Sequence, residues 1–150
     1  MHIRDFLSPD AVSLDLKAES RDTVLPEMVG LLKVSSRSEE TLLRLLRRRE
    51  EHGSTGVGRG LAVPHCRSTE VQRVRLAFGR SIAGVDYRSL DGTPVHAFFL
   101  IVAPPAETVP QYLPVLGKIA SLGRDPDFQA RLRGLNAAEE LLKLLEEKGV

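Results

Sequence analysis

Nine residues from Val95 to Ala103, VHAFFLIVA, set the strongest limit on the fold. A run apolar at every position but His96 does not suit a strand with one solvated face; it suits a strand at the centre of a sheet, covered on both sides. The longest apolar stretch, Ala97 to Pro105, falls far short of the roughly 20 residues that a membrane span needs. The chain therefore has to supply helices to cover a sheet built around this strand.

The rest of the sequence provides them. Val12 to Leu16 alternates apolar and polar residues and reads as a short strand. Thr23 to Lys33 has helical spacing, with Pro26 tolerable only in the first turn. Ser36 and Glu39 form a capping-box pattern that opens a helix with Leu42, Leu43, Leu45 and Leu46 toward the core, ending near Gly53. Leu61 to Val63 and Val74 to Ile82 read as strands, and Asp91-Gly92 marks a turn. Helices are expected over about Pro110 to Leu122, over Pro126 to Leu132 behind the cap Asp125, and over Ala137 to Lys148 behind the cap Asn136. The expected fold is a single α/β domain over residues 1–150, a mixed β-sheet with helices packed on both faces.

Composition narrows the function classes. A net charge of +1 gives no field that argues for nucleic acid or an anionic membrane. The N-terminus lacks the apolar segment of a signal peptide. One cysteine, Cys66, excludes an internal disulfide and a multi-cysteine metal site, so a cytoplasmic protein without a metal centre is expected.

Arg49 to Arg67, REEHGSTGVGRGLAVPHCR, carries the chemistry. His65 follows a short apolar run and Pro64, and an imidazole is a nucleophile and acid/base group near neutral pH. Taking a phosphoryl group requires an unprotonated ring nitrogen, a partner that fixes the tautomer, and cationic or N–H donors for the phosphoryl oxygens. Arg49 offers a guanidinium fork, Ser54 and Thr55 offer hydroxyls, and Gly56, Gly58 and Gly60 allow backbone N–H groups to approach an anion. Each feature also has a plain reading: a structural or solvated histidine, a turn, a solvated arginine face. His52 either edges the site or ends a solvated helix. His96 is expected to face the sheet or a neighbouring helix, His2 to be disordered, and Cys66 to be a small packed residue.

The stretch REEHGSTGVGRGLAVPH resembles the signature of the IIA domains of the bacterial phosphoenolpyruvate-dependent sugar phosphotransferase system, fructose/mannitol class, which includes nitrogen-regulatory IIA proteins. The similarity continues through Leu90 to Pro94, the apolar strand and Tyr112 to Leu116. It implies a phosphoryl relay: a phosphocarrier of the HPr type would phosphorylate His65, with Arg49 stabilising charge on the phosphoryl oxygens. The group would then pass to a cysteine of a IIB domain, or the phosphorylation state would control a regulatory target protein. No bound cofactor, nucleic acid or membrane insertion is implied, and the absence of a IIB-like extension favours a separate polypeptide. The family commonly has a second histidine where this chain has Tyr112, which edges the expected site. The alternative is therefore a IIA-fold regulatory interaction module with reduced or lost phosphotransfer.

Overall fold

A computed structural model of the chain describes residues 2–105 and 110–150. The sheet has six strands: β1 (Leu7–Ser13), β2 (Gly56–Gly58), β3 (Leu61–Ala62), β4 (His65–Arg67), β5 (Arg75–Val85) and β6 (Val95–Ala103). Five α-helices accompany it among the described residues: α1 (Arg21–Gly30), α2 (Ser36–Glu51), α3 (Tyr112–Leu122), α4 (Pro126–Leu132) and α5 (Ala138–Glu147). The order across the sheet is β1-β5-β6-β3-β2, with β4 also pairing β6. β5 runs antiparallel to β6, while β3 and β4 run parallel to it, so the sheet is mixed.

β6 is central, as its composition requires. From Ala97 to Ala103 every residue is buried. Because successive side chains point to opposite faces, both faces of the strand are covered. The Phe99 ring packs tilted against that of Phe78 of β5 at 4.9 Å, and Phe98 meets the ring of Tyr87 at 5.3 Å.

β3 and β4 lie along the same edge of β6. Leu61 pairs with Ala97, and His65 pairs with Ile101. Pro64 stands between them; it has no N–H to give the ladder, but its carbonyl still accepts from Ile101 N at 3.0 Å. The break places His65 at the start of β4, level with the C-terminal half of β6.

Several boundaries differ from expectation. β1 covers Leu7–Ser13 rather than Val12–Leu16. Pro9 disguises the strand, and an irregularity between Leu7 and Val12 breaks its alternation; an edge position tolerates both. Helix α1 starts at Arg21 behind a reciprocal Ser20–Thr23 cap, so Pro26 lies beyond the first turn. There it removes one backbone bond, while Val24, Leu25, Met28 and Val29 bury the helix face. The cap of α2 is Ser35, whose side chain accepts from Ser38 N, and α5 begins after Ala137 rather than Asn136. The backbone N–H of His2 donates to Asp5 at 2.9 Å and precedes a 3-10 turn at Ile3–Asp5.

Candidate functional site

Alternation along β4 puts His65 and Arg67 on one face and Cys66 on the other. Cys66 is buried in the core, which pushes its thiol pKa up to about 12 and leaves it unreactive near neutral pH. His65 is half-buried. Its Nδ1 lies 2.7 Å from the carbonyl oxygen of Val63, which only accepts, so Nδ1 carries the proton and donates it. In the neutral ring Nε2 is then the free nucleophilic nitrogen.

The electrostatics agree with that tautomer. Burial holds the His65 pKa below its ordinary value, and the positive charge of Arg49 pushes the same way. The Val63 bond and the negative charge of Glu50 oppose the shift without reversing it. At neutral pH the imidazole is uncharged.

Arg49 lies in the last turn of α2, and its Nη1 donates to Gly53 O at 2.7 Å. That bond closes the helix end, where Gly53 has φ +139°. Glu50 is buried at 5 % exposure and accepts from Thr55 N at 3.0 Å and from the Thr55 hydroxyl. Thr55 O in turn accepts from Val63 N at 2.9 Å. A chain of bonds thus runs from α2 through Thr55 to Val63, whose carbonyl holds the His65 ring.

The expected phosphate-binding loop is not one unit. The Thr55 hydroxyl is spent on Glu50, and the Ser54 hydroxyl donates to Tyr87 O at 3.1 Å. Both hold the hairpin in shape. Gly56 pairs with Ala62 and lies so close to Ser89 that a Cβ would sit 2.3 Å from its Oγ. Gly58 and Gly60 have positive φ at the other end of the hairpin, where Arg59 N donates to Asp91 at 2.8 Å. Gly60 O accepts from His96 N and Ala97 N. Four residues of β6 separate the Ala97 level from the Ile101 level of His65, about 13 Å of strand. Nearness in sequence suggested a cradle that the sheet register separates. His52 caps α2 with an exposed side chain, and His96 lies at the far end of β6 with Nδ1 donating to Ser81 O at 2.9 Å.

Tyr112, the first residue of α3, is brought to His65, with ring centroids 6.3 Å apart. Against Tyr112 stands a group the sequence reading missed. The guanidinium of Arg67 lies 4.0 Å above the Tyr112 ring, and its Nη1 is buried without a hydrogen-bond partner among the described residues. The signal was present as the i, i+2 spacing from His65, but a three-residue strand after a proline gives no periodicity to reveal it.

The family model for the phosphoenolpyruvate-dependent sugar phosphotransferase system, EIIA 2, matches residues 5–148. The chain belongs to this EIIA 2 family. Among relatives, it is similar to a nitrogen regulatory protein of Bradyrhizobium diazoefficiens, 32% identical over 97% of this chain and 95% of that protein. It is also similar to a fructose-specific EIIABC component of Bacillus subtilis, 28% identical over 98% of this chain and 23% of that protein. The crystal structure of nitrogen regulatory protein IIA-Ntr from Neisseria meningitidis superposes with a TM-score of 0.87 at 30% identity, covering 95% of this chain and 98% of that one. The mixed sheet with its helices is thus the EIIA fold. Among the described residues of this EIIA 2 chain, no helix is long and apolar enough to cross a membrane.

Proposed function

We propose that this EIIA 2 protein is a cytoplasmic phosphoryl-relay protein that accepts a phosphoryl group on Nε2 of His65 from a phosphocarrier of the HPr type. The observation that carries the reading is the Val63 carbonyl fixing the proton on Nδ1, on a ring that burial keeps neutral. Nε2 attacks phosphorus, the N–P bond to the donor histidine breaks, and the donor ring retains that electron pair. Arg49 and Arg67 supply positive charge for the phosphoryl oxygens, so the protein's share is positioning and electrostatics. The group then passes to a IIB cysteine, or its presence on His65 controls a regulatory target protein. The higher identity to a nitrogen regulatory protein than to the fructose component favours the regulatory use.

Incubation with phosphoenolpyruvate, enzyme I and HPr tests the relay. The expected product is an acid-labile, base-stable phosphate on the wild-type chain and none on His65→Ala. No label on the wild type, or label persisting in the variant, overturns it.

One observation favours the second reading, a binding module with reduced transfer. Tyr112 takes the place of a second imidazole with a ring that is 6% exposed and carries Arg67 on its face. A phenol cannot become cationic beside the phosphoryl group. A rate that rises in Tyr112→His would support this reading, and an unchanged rate would remove it.

A further inference from the structure

At the end of β6 away from His65, the β2–β3 hairpin, β5 and α4 enclose a pocket of about 240 Å³. Its polar lining includes Arg59, Arg80, Arg133, His96 and Gln129, with Ile82 and Leu132 as an apolar wall and no carboxylate among the lining residues. Arg80 is built into that wall: Nε donates to Leu14 O at 3.0 Å, and Nη1 donates to Leu132 O and Leu135 O at 2.8 Å each. Arg59 and Arg133 are exposed, and neither forms an ion pair among the described residues. Arg131, two residues before Arg133, pairs with Glu147 and Asp127 instead. Three guanidinium groups around one concavity repel each other unless an anion joins them.

A second observation points the same way. Nε2 of Gln129 is buried and has no hydrogen-bond partner among the described residues.

We propose that this pocket binds a small organic anion, a phosphate monoester or carboxylate with a short apolar body. The anionic head sits between Arg59 and Arg133, with the Gln129 side chain on the pocket wall beside it. The apolar body lies against Ile82 and Leu132, whose wall gives an organic ligand an advantage over a bare ion. The site lies away from the relay histidine and does not rest on the relay reading.

The test uses the full chain carrying His65→Ala, so that the relay site cannot account for anion binding. Phenyl phosphate, benzoate, inorganic phosphate and phenol are titrated against the 15N-labelled protein, reading the backbone amides of Gly60 and Ala97 and the side-chain amide of Gln129. Saturable shifts at these positions are expected with phenyl phosphate or benzoate, and the tighter of the two names the head group. Inorganic phosphate is expected to bind more weakly than phenyl phosphate, and phenol not to saturate. Adding Arg59→Ala and Arg133→Ala is expected to weaken binding about ten-fold or more. The proposal is overturned if neither organic anion gives saturable shifts there, if the double arginine variant binds as tightly, or if phenol or inorganic phosphate binds equally well.

Discussion

Arg67 stacks on Tyr112 with its guanidinium carbon 4.0 Å from the ring centroid, while one of its terminal nitrogens is buried with no partner among the described residues. The ring holds the cation in place and leaves one donor unused on the His65 face of β4. A buried guanidinium nitrogen without an acceptor is costly in a resting protein and useful where an anion arrives.

Arg67→Gln is expected to lower the initial rate of phosphoryl transfer onto His65 about ten-fold or more, and Arg67→Lys to recover part of the loss. Urea denaturation should show the Gln variant less stable by no more than about 0.5–2 kcal/mol, the loss of the Tyr112 stack, since the buried nitrogen had no bond to lose. A variant with normal transfer and lower stability would make Arg67 a packing residue.

Glu50 fixes the loop that fixes the histidine. Glu50→Ala leaves Thr55 N–H and the Thr55 hydroxyl without their acceptor in a buried setting, a loss of about 2–4 kcal/mol in urea unfolding. Glu50→Gln keeps an acceptor and should cost less. Equal stability of the Ala variant and the wild type would remove the bond chain from α2 to Val63 as a support for the site.

The depressed His65 pKa has a consequence for stability. The unfolded chain protonates its imidazole near 6.5, whereas the folded chain resists until lower pH. The His65 contribution is therefore fully present above the unfolded value and is lost as pH falls through the folded one. Stability measured from pH 7.5 downward should drop more in wild type than in His65→Gln over that window. Parallel pH curves for the two proteins would contradict the depressed pKa.

Much of this was legible where one physical cause acted alone. The apolar run, broken only by His96, gave the central strand Val95–Ala103 its bounds, and the Asp125 cap with Pro126 gave α4 its bounds. Legibility failed where tertiary context overrode a local signal. Pro9 hid an edge strand, Pro26 was accommodated inside α1, and Glu50 looked like one more charge in RRREE although it is buried. Gly58 and Gly60 looked like neighbours of His65 because register along β6 cannot be read from spacing. His65 itself was legible, while the group holding its proton was not, since that group is a backbone carbonyl.

The most direct measurement is long-range 1H–15N NMR of the His65 imidazole before and after phosphorylation by phospho-HPr. The account predicts an uncharged ring with its proton on Nδ1 beforehand, and afterwards a phosphoryl group on Nε2 with the Nδ1 proton retained. A phosphoryl group on Nδ1, or a His65 ring unchanged after complete incubation with the donor, would contradict it.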